Sequence, residues 1–85
     1  MYKLFVANKK TEKMLNEYIN LRDDVKDKLD RLKIEPRRAN GAHPLHGELD
    51  GKWACWIGSN IRLLYIIKED KKEIVILAIG SHKVY

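Results

Sequence analysis

The spacing of apolar residues changes once along this chain, near His43, and that change restricts it to two helices followed by a run of strands. Ahead of it, Met14, Leu15, Tyr18 and Ile19 fall at i, i+1, i+4 and i+5, one stripe of a helix. Asn8 stands before that stripe, where its side chain can accept from the free amides of a first turn. After a short break at Asn20 and Leu21, Val25, Leu29 and Leu32 give a second stripe, on a helix starting near Arg22. Asp23 and Asp24 fall in its electropositive first turn. Pro36 ends it, because the residue before a proline avoids the helical region. A helical hairpin is predicted, preceded by a short strand over residues 2–7, YKLFVA.

From Leu45 onward the period is two. Residues 45–49, 52–57, 61–67 and 73–79 read as strands, with Asp50-Gly51, Gly58-Ser59-Asn60 and the polar segment 68–72 as turns. The order βααββββ predicts one α+β domain over residues 1–85, a largely antiparallel sheet packed against the helical hairpin. Strand side chains alternate between faces, so parity sets Trp53, Cys55 and Ile57 against Lys52, Ala54 and Trp56. In the same way Ile61, Leu63, Tyr65 and Ile67 oppose Arg62, Leu64 and Ile66. On the last strand Val75, Leu77 and Ile79 oppose Ile74, Ile76, Ala78, Gly80 and His82. An unpaired charge is costly to bury, so Lys52, Trp56, Arg62 and His82 are expected together on the face away from the helices. Leu64, Ile66, Ile74 and Ile76 would accompany them, an aliphatic surface that calls for a partner segment. A bulge would reverse such parity.

Hydrophobic content of 45% excludes a disordered chain. Net charge is +5, and 11 basic and 7 acidic residues precede His43, against 6 and 5 from His43 onward. That bias favours a polyanionic partner such as RNA, or an acidic protein, and equally suits simple solubility. Cys55 is the only cysteine and cannot form an internal disulfide, which fits a reducing compartment. No apolar run nears the roughly 20 residues that span a bilayer, and MYKLFVANKK is too polar for a signal peptide. A soluble, cytoplasmic protein is expected.

The residues able to carry chemistry are His43, His46, His82 and Arg62. Histidine exchanges protons near neutral pH, and the planar fork of arginine grips two phosphate oxygens at once. A cation within NIRLLYII needs a partner or an open surface, whereas each histidine also reads as an ordinary solvated residue. Arg37 and Arg38, in the loop 35–42, read either as a solvated connector or as a phosphate-contacting arm. Trp56 and Tyr85 offer stacking surfaces for unpaired bases, while Trp53, Cys55 and Tyr65 read as core. His43, His46, His82 and Cys55 include zinc-type ligands. Parity separates Cys55 from His82, however, and no CxxC spacing is present, so neither metal nor other cofactor is expected.

In this order and spacing, His43-Pro44-Leu45 with Gly47, then Gly51, the Arg62-Leu-Leu-Tyr65 strand and Gly80-Ser81-His82 before a C-terminal aromatic resemble the RelE/ParE superfamily of type II toxin–antitoxin toxins. The resemblance spans essentially the whole chain. The His-Pro-Leu element and the Gly-Ser-His ending are most similar to the YafQ branch, and the arginine strand is shared with RelE and YoeB. It implies a metal-independent endoribonuclease that cuts mRNA, often on the ribosome, and is silenced by a cognate antitoxin in a hetero-oligomer. It further implies His43 as general base, His82 as general acid and Arg62 as the contact to the scissile phosphate. His46, Lys52, Trp56, Tyr85, Arg37 and Arg38 would bind RNA around them. Trp56 stands where YafQ carries a histidine and RelE a lysine, Ala54 where RelE has another lysine, and Asn60 where YafQ has an aspartate. The ParE branch implies a different outcome, a non-catalytic binding protein that inhibits DNA gyrase or only binds its antitoxin.

Overall fold

The computed structural model describes residues 1–58 and 60–81. Its elements are β1 (Lys3–Val6), α1 (Lys9–Leu21), α2 (Asp23–Ile34), β2 (His43–Pro44), β3 (Trp53–Trp56), β4 (Arg62–Lys68) and β5 (Glu73–Gly80). Asn8 begins α1 as expected, its side-chain oxygen accepting from the Thr11 N–H at 2.8 Å. Arg22, in extended geometry (φ −140°, ψ 121°), is the single residue between the helices, and Asp23 and Asp24 occupy the first turn of α2. The strands form one sheet in the order β1-β5-β4-β3-β2, in which β1 runs parallel to β5 and the other pairs are antiparallel. This is the α+β architecture the sequence predicts.

Both helices cover one face of the sheet. Leu15, Val25, Leu29 and Leu32 meet Cys55, Ile57, Leu63, Tyr65, Ile74, Ile76 and Ile79 in a continuous core. Ile74 and Ile76 correct the parity expectation, since both are fully buried under the helices rather than turned away from them. The cause is a bulge. Leu64 pairs with Ala78 and Tyr65 with Ile76, so Leu77 has no residue opposite it and the alternation of β5 flips there. Ile79, Ile76 and Ile74 thus share a face, and Gly80 opposes Arg62 on the other.

That other face carries a smaller cluster of Leu45, Ala54 and Leu64, with Leu49, Leu77 and Ala78 against it. Leu64 is therefore covered by its own chain, another departure from the exposed aliphatic face expected. The cover comes from the segment 45–49, which is not the strand its alternation suggests. Only His43 and Pro44 pair with β3, and Gly47 turns left-handed at φ 71° into a 3-10 turn, Gly47–Leu49. The loop closes when Lys52 N–H donates to Leu49 C=O at 3.0 Å, with Asp50 (φ −56°, ψ 138°) and Gly51 (φ 88°) as the central residues of a type II turn.

Candidate functional site

On the face away from the helices, Trp56 of β3 lies directly opposite Arg62 of β4. The Arg62 guanidinium stacks on the indole, its carbon 4.2 Å from the ring centroid. Such a contact holds a planar cation in a defined orientation and is worth about 0.5–2 kcal/mol. Gly41 presses on the same indole, since a Cβ built there would lie 3.2 Å from Trp56 Cδ1. The carbonyl of Gly41 in turn accepts a hydrogen bond at 3.1 Å from His43 Nδ1. A carbonyl can only accept, so the ring proton sits on Nδ1, and Nε2 of the neutral ring keeps its lone pair. His43, Gly41, Trp56 and Arg62 are thereby joined by successive contacts. Both β2 and the turn before it serve this chain, because His43 pairs with Ala54, two residues from Trp56.

The loop that carries Gly41 is fixed from below. Asn40 is left-handed (φ 57°, ψ 34°), and its side-chain N–H donates to the Lys28 carbonyl of α2 at 2.8 Å. Asparagine tolerates this region better than most residues because its short amide bonds locally. Beneath it, the Tyr65 hydroxyl donates to the Pro36 carbonyl at 2.6 Å. Burial raises the Tyr65 phenol and pushes the Cys55 thiol up to about 12, with Asn40, Lys28 and Tyr65 only partly offsetting the effect on the thiol. Cys55 is therefore a protonated core residue. Its folded value lies above its unfolded one, so its contribution to stability is complete below about pH 9 and is lost as pH rises toward 12. Native protein at pH 8.5 should resist iodoacetamide at Cys55 while urea-unfolded protein is alkylated, and the alkaline loss of stability in urea melts should be shallower for Cys55→Ala. Rapid labelling of the native chain would show that the thiol is not buried as described.

The remaining predicted residues are distributed as follows. Lys52 is half-buried just before β3, and His46 is exposed at the start of the Gly47–Leu49 turn. Arg37 does not join Arg62. Its guanidinium contacts the Tyr2 hydroxyl at 3.4 Å and the Glu69 carboxylate at 3.3 Å, and the Tyr2 hydrogen bond leads in raising its pKa. Glu69 follows the last residue of β4 and Arg62 is the first, so the two arginines are separated by roughly 20 Å of strand. Glu69 is itself held below the usual carboxylate range, first by the Tyr2 hydroxyl and then by Lys72. Arg38 is exposed beside Arg37. His82 and Tyr85 lie outside the described residues, and the strand leading to them passes Arg62 at Gly80. Gly41 and Asn40 are the residues the sequence reading overlooked, although an Asn-Gly pair is a recognised signal for left-handed turns. Among the described residues, no three His, Cys, Asp or Glu side chains come together to hold an ion, and no helix is long and apolar enough to cross a membrane.

An α+β sheet with two helices on one face and a histidine, tryptophan and arginine on the other defines a RelE-like toxin fold. Residues 7–84 match the family model described as the ParE toxin of the type II toxin–antitoxin system parDE, and the chain belongs to that family within the RelE/ParE superfamily. Among solved structures, the RelBE2 toxin–antitoxin complex from Mycobacterium tuberculosis is 25% identical, aligned over 95% of this chain and 98% of that one with a TM-score of 0.75. A metal-bound toxin from Helicobacter pylori is 26% identical over 96% of each chain, with a TM-score of 0.73. The YoeB/ParE toxin from Agrobacterium tumefaciens, 16% identical, shares the fold over 94% of this chain and 98% of that one, with a TM-score of 0.75. No curated protein matches the sequence.

Proposed function

We propose that this toxin is an endoribonuclease that cleaves mRNA on the ribosome, in the cytoplasm, and is held silent by a cognate antitoxin in a hetero-oligomer. One observation carries the reading: His43, Trp56 and Arg62 are linked by contacts on the sheet face that the helices leave uncovered. RNA brings its own nucleophile, the 2′-hydroxyl, and needs a base beside it, an acid beside the leaving 5′-oxygen and a cation at the phosphoryl oxygens. His43 Nε2, left with its lone pair by the Gly41 bond, takes the hydroxyl proton. Arg62, oriented by the indole, stabilises charge developing on the phosphate. His82, on the resemblance to the YafQ branch, returns a proton to the leaving oxygen. Lys52 and His46 would bind the RNA around these groups, and Trp56 and Tyr85 would offer aromatic surface to unpaired bases. No step calls for a metal. Arg37, tied to Glu69 at the other end of β4, and Arg38, exposed three residues before Gly41, would contact RNA phosphates further from the cleavage point. The antitoxin partner is supported by similar structures that are toxin–antitoxin complexes.

In a translation-programmed cleavage assay, Arg62→Ala should lower the cleavage rate by about 10²–10³-fold. His82→Ala and His43→Ala should each lower it by about 10²–10⁴-fold. Equal cleavage by wild type and all three variants would remove the assigned mechanism. A second reading, inhibition of DNA gyrase by binding alone, is favoured by the ParE family match and by Trp56 standing where the nuclease branches carry a basic residue. Wild-type protein that cuts no mRNA but blocks gyrase supercoiling would establish it.

A further inference from the structure

Thr11, in the first turn of α1, is a buried polar side chain, 6% exposed, that the cleavage reading does not use. Its backbone N–H donates to the Asn8 cap at 2.8 Å. Its hydroxyl reaches out of the helix and donates to the Leu77 carbonyl of β5 at 3.2 Å. A helical threonine more often bonds a carbonyl three or four residues back in its own helix, so this contact is made across the core instead. Leu77 is the residue that the bulge leaves with nothing opposite it on β4. Such a residue is displaced from the ladder, and its backbone groups need partners elsewhere. One position earlier, the Ile76 carbonyl accepts from the Ala7 N–H at 2.8 Å. Residues 7–11 thus fasten β5 at the bulge from outside its pairing with β4.

The bulge decides what faces Arg62. Residues 73–76 are pinned by pairing with both β1 and β4, so a ladder lacking the extra residue would slip beyond them. Leu77 would then oppose Leu64, Ala78 would oppose Leu63, and Ile79 would oppose Arg62. With the bulge, Gly80 stands opposite Arg62 and Ile79 is buried beneath the helices. Side chains on directly paired residues stand about 4.5–5.5 Å apart, so a branched one there would crowd the guanidinium, whereas glycine adds none. We propose that Thr11 is a positioning residue for Arg62. By holding Leu77 out of the ladder it keeps a glycine opposite the guanidinium that rests on Trp56. Thr11 itself lies on the helix side of the sheet and would touch no RNA. The inference rests on the reading of Arg62 as the phosphate contact.

The test uses the whole chain with Thr11→Val, which keeps the shape and removes the hydroxyl, and Thr11→Ser, which keeps the hydroxyl. Cross-strand NOEs report the register of β5, and the translation-programmed assay reports its consequence. In wild type and in Thr11→Ser, Arg62 should show NOEs to Gly80. In Thr11→Val these should pass to Ile79, and kcat should fall roughly tenfold or more while KM stays within about twofold. Deletion of Leu77 is the control, because it removes the bulge yet leaves Gly80 opposite Arg62 and Ile79 inward. In that background Thr11→Val should change neither the NOEs nor kcat. A Thr11→Val protein that keeps the Arg62–Gly80 NOEs, or that loses them and still cleaves at the wild-type rate, would overturn the proposal. So would a loss of kcat on adding Thr11→Val to the deletion. If Thr11→Val does not fold, the deletion decides: failure of the combined variant to fold would show a role in stability alone and sink the inference. Wild-type protein that cuts no mRNA would fail the nuclease reading, and the NOEs would still show whether Thr11 sets the register.

Discussion

Ile76→Ala should destabilise the protein by about 3 kcal/mol, within the 2–5 kcal/mol typical of removing a buried isoleucine side chain to its Cβ. Ile76 is fully buried beneath the helices, beside Leu63 and Tyr65. For a chain whose whole unfolding free energy is on the order of 5–10 kcal/mol, that is a large fraction. The melting temperature should drop by roughly 10–20 °C. Val75→Ala is the matched control: Val75 opposes Phe5 and Ile66, is half-buried on the other face, and should cost about 1 kcal/mol or less. A larger cost for Val75→Ala than for Ile76→Ala in a urea melt would mean that β5 alternates without the bulge at Leu77.

The second large effect is expected at Gly41. Its φ of 70° disfavours any side chain, and a Cβ there would stand 3.2 Å from Trp56 Cδ1. Gly41→Ala should therefore cost about 1–2 kcal/mol in backbone conformation, with a further cost for displacing the indole. Gly47 separates the two contributions, since its φ is 71° and nothing lies within 4 Å of a Cβ built on it. Gly47→Ala should bear the backbone cost alone. In a Trp53→Phe background, where Trp56 is the sole tryptophan, Gly41→Ala should change the emission spectrum and Gly47→Ala should leave it as it was. Identical spectra for both would mean that Gly41 does not set the indole's position. If Arg62 acts on phosphate, cleavage should also fall in Gly41→Ala, because the guanidinium rests on that ring.

Local rules were enough for the parts of the fold that are locally determined. The Asn8 cap, the helical stripes and the Pro36 stop depend on neighbours within a few residues, and all three are present. Parity along β3 and β4 also held, setting Trp56 and Arg62 opposite Cys55 and Tyr65. It failed on β5 because an added residue in a strand leaves no mark in composition; Leu77 is as apolar as its neighbours. Segment 45–49 alternates like a strand, yet Gly47 turns it back over Ala54 and Leu64, and burying Leu45 there decides the matter. For the site, the residue types and the outward face of Arg62 were legible. The allegiance of Arg37 was not, because its carboxylate partner lies 32 positions away at the tip of another hairpin. The role of Gly41 also depends on a ring 15 positions further on, which no short window contains.

The parallel pairing of β1 with β5 bears on how the protein comes into being. Lys3 lies opposite Glu73, 70 positions later, and closing a loop of that length costs about 4 kcal/mol in chain entropy beyond the fixed cost of closure. Until β5 exists, Leu4 and Val6 have no strand to lie against, and Arg62 lacks the neighbour that Gly80 provides. β1 is thus seated by a strand that the chain reaches only some 70 residues later. A ribosome making this toxin carries an unfinished sheet until β5 has emerged, and the face that bears Arg62 is completed only then.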